Sequence, residues 1–127
     1  MRILAIDYGQ KKVGVALATS QLAEPYKVIR FTSSKTLVKE LGKIIEEEQI
    51  EKLIIGVSEG KIGEESKRFG EKLKIQFKLP LSFQDETLTT QEAQKLSFEA
   101  GIKRKKRKKL EDAFSAALIL QAYLDSK

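Results

Sequence analysis

Ile3-Leu4-Ala5-Ile6-Asp7-Tyr8-Gly9-Gln10-Lys11-Lys12-Val13-Gly14-Val15-Ala16-Leu17 is the stretch from which the fold can be read. Residues 2–6 are mostly apolar and suit a strand, and Asp7-Tyr8-Gly9-Gln10 is rich in turn formers. Val13 to Leu17 then supplies a second apolar run, so the chain opens with an expected β-hairpin. After Pro25, residues Tyr26 to Phe31 alternate as a third strand should. Ser33 and Ser34 offer hydroxyls to cap a helix whose apolar stripe is Leu37, Leu41, Ile44 and Ile45. Leu53-Ile54-Ile55-Gly56-Val57 is wholly apolar, as expected of a strand buried on both faces.

Beyond it, Ser58 to Glu65 contains Gly60 and Gly63 and reads as a loop. Phe69, Leu73 and Phe77 mark a second helix, with Gly70 counting against it. Pro80 opens a strand that runs to Asp85-Glu86. Thr89 and Glu92 form a capping-box pattern for a helix carrying Ala93, Leu96 and Ala100, which Gly101 ends. Leu110 to Leu124 is a terminal helix rich in Ala and Leu. The expected order is βββ followed by α-β-α-β-α-α, an α/β arrangement with a hairpin-led mixed sheet and helices packed on its faces.

Composition narrows the chemistry. The 127 residues suit one domain, 1–127, with 41% hydrophobic and 33% charged residues. No apolar run approaches the roughly 20 residues that span a bilayer. Asp7 interrupts the first apolar run too early for a secretory signal. Cysteine and histidine are both absent, which excludes disulfides, thiolate zinc sites, cysteine nucleophiles and the serine–histidine triad. Catalysis must come from carboxylates, hydroxyls, Lys, Arg, Tyr or a hard metal ion.

The net charge of +6 is concentrated. Lys103, Arg104, Lys105, Lys106, Arg107, Lys108 and Lys109 are consecutive, and without them the chain holds 17 basic and 18 acidic residues. Such runs are commonly solvated, mobile tails. This one is internal and immediately precedes Glu111-Asp112, so it is expected to act as a flexible cationic arm that binds a polyanion. None of the aromatic residues lies within it, so recognition should rest on backbone shape rather than on base stacking.

Three acidic positions stand at element ends. Asp7 closes an apolar strand, where a carboxylate needs a compensating partner, although Asp-x-Gly is also good turn chemistry. Asp85 and Glu86 close the fifth strand on opposite faces; one of them should point towards Asp7, and alternation leaves open which. Asp112 falls in the expected first turn of the terminal helix, a place the macrodipole favours for acids. It also shares a largely apolar stripe with Ala116, Ile119 and Tyr123, which directs it inward. Converging carboxylates repel one another unless divalent cations sit among them, and oxygen ligands suit magnesium. Two ions roughly 4 Å apart can activate water and stabilise the leaving oxygen of a phosphodiester without a histidine base.

Leu4 to Gly9 with Lys12-Val13-Gly14-Val15-Ala16, Asp85-Glu86-Thr87-Leu88-Thr89-Thr90-Gln91-Glu92-Ala93, and Gly101 through the basic run to Glu111-Asp112 and Ala116 to Leu124 together resemble the YqgF/RuvX family. The resemblance covers essentially the whole chain in order. It implies an RNase H-like five-stranded mixed sheet related to the RuvC resolvases. It further implies a cytoplasmic nuclease that processes the 5′ end of precursor 16S ribosomal RNA; the ion expected from the carboxylates is magnesium, with manganese as a substitute. The family's older description is as a Holliday-junction resolvase. By position, the acidic triad is Asp7, Glu86 and Asp112. One block departs from the pattern: Gly56-Val57-Ser58-Glu59-Gly60-Lys61 lacks the Pro and Asn of the family's usual Gly-Leu-Pro-Leu-Asn-like segment. That departure puts substrate contacts from this loop in doubt and leaves Glu59 as a further acid near the metals.

The expected partner is nucleic acid, RNA ahead of branched DNA, with no membrane and with a monomer or weak homodimer as the assembly. Two other readings compete. A non-catalytic ribosome-assembly module would bind RNA through Lys103–Lys109 and use its acids only structurally. An actin-like kinase would use Asp7-Tyr8-Gly9 as a phosphate loop, but it needs a second domain that 127 residues do not supply.

Overall fold

A computed structural model describes residues 1–58, 60–85 and 104–126, the last segment by backbone alone up to residue 111. The strands are β1 (Ile3–Tyr8), β2 (Lys12–Ala18), β3 (Ala23–Arg30), β4 (Lys52–Val57) and β5 (Leu81–Asp85). The helices are α1 (Ser34–Glu47), α2 (Lys61–Phe77) and α3 (Arg104–Asp125). The expected helix at Thr89–Ala100 lies outside the described residues.

The strands form one sheet in the order β3-β2-β1-β4-β5. β1 pairs antiparallel with β2, and β2 with β3, whereas β1–β4 and β4–β5 are parallel. The hairpin-led mixed sheet is therefore as expected. Alternation along β1 explains the two cores. Leu4 and Ile6 join Val13, Val15, Leu53 and Ile55 beneath Leu37, Val38, Leu41 and Ile44 of α1 and Phe69 and Leu73 of α2. Ile3 and Ala5 point the other way, joining Ala16, Ala18 and Ile54 against Ala116, Ala117, Ile119, Leu120 and Tyr123 of α3. Helices thus cover both faces. The α3 side of the hairpin is lined by Ala5, Gly14, Ala16 and Ala18, so an alanine-rich helix can approach closely.

Ser33 caps α1 by accepting a hydrogen bond from the Thr36 amide at 3.3 Å, satisfying one of the open donors of the first turn.

Four boundaries differ from the sequence reading for physical reasons. β1 does not stop at Ile6: Asp7 pairs with Gly14 and Tyr8 with Val13, so cross-strand pairing overrides the turn chemistry of Asp7-Tyr8-Gly9. β3 begins at Ala23 and contains Pro25, which is tolerated because β3 is an edge strand and the register shifts between Val15 and Ala16 beside it. The expected Ser58–Glu65 loop is shorter, since α2 starts at Lys61. Gly63 lies in its first turn, where a Cβ would collide with the Ser58 carbonyl oxygen. Gly70 continues this helix and packs against the Ile55, Phe83 and Leu81 side chains. The terminal helix starts at Arg104 instead of Leu110, which takes most of the basic run into regular structure.

Among the described residues no helix is long and apolar enough to cross a membrane.

Candidate active site around Gly14

The candidate site begins with a backbone contact. Gly14 faces α3, and a Cβ there would overlap the carbonyl oxygen of Asp112 and come within 2.9 Å of the Ala113 amide nitrogen. Only a residue without a side chain lets the helix backbone rest on the strand in this way. Gly14 is also the cross-strand partner of Asp7. Asp7 follows Ile3 and Ala5 by period two, which sends its side chain to the α3 face. Asp7 and Asp112, separated by more than a hundred residues in the chain, are thus brought to neighbouring positions over one glycine.

Asp112 is not where the sequence reading put it. It lies about two turns inside α3, beyond the reach of the terminal dipole, which falls off within the first turn. The expected stripe does hold: Ala116 and Ile119 are fully buried and Tyr123 nearly so, and Asp112 continues it upward to the rim of the sheet. There its carboxylate Oδ2 accepts from Lys12 Nζ at 3.1 Å, with the lysine side chain 46% and the aspartate 31% exposed.

Asp85 ends β5 opposite Val57. Its strand alternation places it with Leu81 and Phe83, towards α2, where it lines a hollow with Ser58, Gly63, Glu64 and Lys67. This is the opposite face from Asp7. Glu86, Glu59 and Lys103 lie outside the described residues. Arg104 to Lys109 are continuous in backbone with the helix that carries Asp112, so the expected flexible arm is corrected to a helical extension. A rise of about 1.5 Å per residue sets these positions roughly 4–12 Å from Asp112 along the axis. Helical propensity explains the correction: Lys and Arg are good helix formers, and adding turns to an existing helix is far easier than nucleating one.

Sequence reasoning missed Lys12 and Gly14 as members of the site. An isolated glycine within a strand pattern is a signal for close backbone approach. The Lys12–Asp112 pair carries no local signal at all.

Tyr8, beside Asp7 but on the other face, stacks on Phe69 with ring centroids 4.7 Å apart. Burial, and then the charge of Glu65, raises its phenol above the ordinary value. Folding therefore favours the protonated phenol. The associated stability is fully present below the ordinary phenol range near pH 10 and is lost as pH rises through the raised folded value. Denaturant midpoints followed into that alkaline range should fall more steeply for the native chain than for Tyr8→Phe; equal slopes would contradict this account.

The donor set fits a hard divalent ion. Two carboxylates share one face, and neither histidine nor cysteine exists in the chain to make a softer site. Among the described residues no group of three acids is gathered for a metal.

A mixed five-stranded sheet with this strand order, helices on both faces and an acid on its first strand defines the RNase H-like class. T. thermophilus RuvC, solved in complex with a Holliday junction substrate, shares the fold with a TM-score of 0.68 over 99% of this chain and 96% of that one, at 14% identity. Sequence narrows the class to a family. Residues 1–126 match the profile of RuvX, described as Holliday junction resolvase, and the chain belongs to that family. A relative from Oceanobacillus iheyensis, named "Putative pre-16S rRNA nuclease", is 39% identical over the full length of both chains. One of the same name from Caldanaerobacter subterraneus subsp. tengcongensis is 38% identical, over 100% of this chain and 98% of its own.

Proposed function

We propose that this chain is a metal-dependent nuclease that cleaves ribosomal RNA precursor, with Asp7, Glu86 and Asp112 as the ligands of magnesium, or of manganese in its place. That the enzyme hydrolyses phosphodiesters follows from its family and from its nuclease-named relatives. The observation that carries the site assignment is the meeting of Asp7 and Asp112 over Gly14. Glu86 is taken as the third ligand from its position in the family's pattern; Asp85, beside it in the chain, faces α2, away from Asp7.

A bound magnesium ion supplies charge neutralisation at the scissile phosphate and a route to an activated water. The chain's own residues supply the rest. Asp7 is fixed by backbone pairing within β1 and β2, and Asp112 by α3 resting on Gly14, so neither carboxylate has to be ordered at the moment of reaction. The segment Lys103–Lys109 binds the phosphodiester backbone beside them. Each phosphate it neutralises should steepen the salt dependence of binding by about 0.7 on single strands and 0.9 on duplex. RNA is favoured by the relatives' name, and the 5′ end of precursor 16S ribosomal RNA is the proposed substrate. The proposed setting is the cytoplasm and the proposed working unit is one domain, 1–127, acting as a monomer or weak homodimer.

A second reading, cleavage of four-way DNA junctions, is favoured by the family's description and by the likeness to RuvC. The test is a side-by-side assay of a 5′-extended ribosomal RNA precursor and a four-way junction, each with magnesium, with manganese and with chelator. Cleavage of the precursor that disappears with chelator is the expected result. Cleavage of the junction alone would move the assignment to DNA. An inert protein that binds RNA under every condition would leave the non-catalytic assembly module.

A further inference from the structure

Among the described residues, Lys12 is a cation at the candidate site with no assigned task. Lys12 opens β2 two residues before Gly14, and so stands on the same face of the sheet as Gly14 and its partner Asp7. Its ammonium is 3.1 Å from Asp112 Oδ2, and both side chains reach solvent. The fold does not need this pair. β2 is held by backbone ladders on both sides, and α3 is held by its apolar stripe and its seat on Gly14. An ion pair this exposed is weak and readily exchanged. Lysine suits exchange, being a compact charge on a flexible stem, whereas arginine would hold the carboxylate through a two-pronged fork.

A carboxylate already neutralised by an ammonium is a poorer ligand for a second cation, because the incoming ion must displace the lysine or bind against its repulsion. A phosphodiester arriving at the same rim offers the lysine another anion within reach of its stem. We propose that Lys12 is a competing counter-cation on Asp112: it occupies that carboxylate while nucleic acid is absent, and it passes to a backbone phosphate when a strand binds. Metal loading is thereby coupled to substrate. The proposal rests on the metal-dependent nuclease reading and names the regulation of that site.

The test measures Mn2+ affinity of the full chain by electron paramagnetic resonance of the unbound ion, first without nucleic acid. Lys12→Gln and Lys12→Met should each bind Mn2+ about three- to ten-fold more tightly than the native chain, a range set by the strength of an exposed ion pair plus the repulsion removed. A 2′-O-methyl oligoribonucleotide should tighten Mn2+ binding to the native chain by a similar factor and should tighten it less in either variant. Unchanged or weaker Mn2+ binding in both variants, or equal tightening by the oligonucleotide in all three proteins, overturns the proposal. Asp112→Asn separates the two levels of the argument. If it weakens Mn2+ binding while the Lys12 variants do nothing, Lys12 has no such role and the metal site stands. If Asp112→Asn leaves Mn2+ affinity untouched, the metal reading itself falls.

Discussion

Asp7→Asn should abolish cleavage, lowering the turnover rate by about a thousand-fold or more, while leaving the fold and the affinity for nucleic acid nearly intact. Asparagine keeps the size and planarity of the side chain, and the pairing of residue 7 with Gly14 runs through the backbone, so β1 has no reason to move. What disappears is one negative charge at the point where a divalent ion is proposed to bind. Metal ions in such sites contribute several kcal/mol of transition-state stabilisation, and each 1.36 kcal/mol corresponds to tenfold in rate. Losing about 4 kcal/mol therefore gives about three decades. Thermal stability should be nearly unchanged, since asparagine keeps the shape of the side chain and residue 7 keeps its backbone pairing with Gly14. The relevant measurements are single-turnover cleavage, fluorescence anisotropy with labelled RNA in chelator, and thermal unfolding by circular dichroism. Wild-type cleavage by Asp7→Asn would remove the carboxylate mechanism altogether. Lost binding along with lost cleavage would instead favour a structural role for the acid.

The contrast between Asp7 and Asp112 marks how far the chain can be read without coordinates. Strand β4 and the β1–β2 hairpin are legible because strands buried on both faces must be apolar at nearly every position, and Leu53 to Ile55 and Leu4 to Ile6 are. The inward stripe of α3 is legible for the same reason, through helical spacing. The end of β1 is not, because local turn preference and cross-strand pairing disagree at Asp7-Tyr8-Gly9 and the long-range term wins. Nor is the start of α3: a run of like charges argues against order, yet these residues are intrinsically good helix formers continuing a helix already anchored by Ala113 and Phe114. Placing Asp85 on the α2 face needed the register of β5 against β4, which only a three-dimensional partner supplies. The Lys12–Asp112 pair depends on how α3 crosses the sheet, and no pattern within either segment encodes that.

The crossing itself depends on Gly14, and Gly14→Ala should cost about 3 kcal/mol of stability or more. Overpacking a tight contact usually costs 1–3 kcal/mol when flexible side chains can give way. Here the atoms in the way are the Asp112 carbonyl and the Ala113 amide nitrogen, which belong to a helix backbone and cannot rotate aside. The helix must lift as a body, loosening Ala116, Ile119 and Leu120 from Ala5, Ala16 and Ile54. Asp112 would rise with it, away from Asp7, so any Gly14→Ala protein that folds should also cleave poorly. Gly42 in α1 is the control. A Cβ there comes within 3.0 Å of Phe77, but only of ring atoms on a side chain that can shift. Replacing a mid-helix glycine by alanine gains up to about 1 kcal/mol of helix propensity, so Gly42→Ala should be near neutral or mildly stabilising. Urea midpoints compared across the two variants test the difference directly. Equal midpoints would mean that α3 does not rest on β2 at this glycine, and the meeting of Asp7 with Asp112 would lose the contact that enforces it.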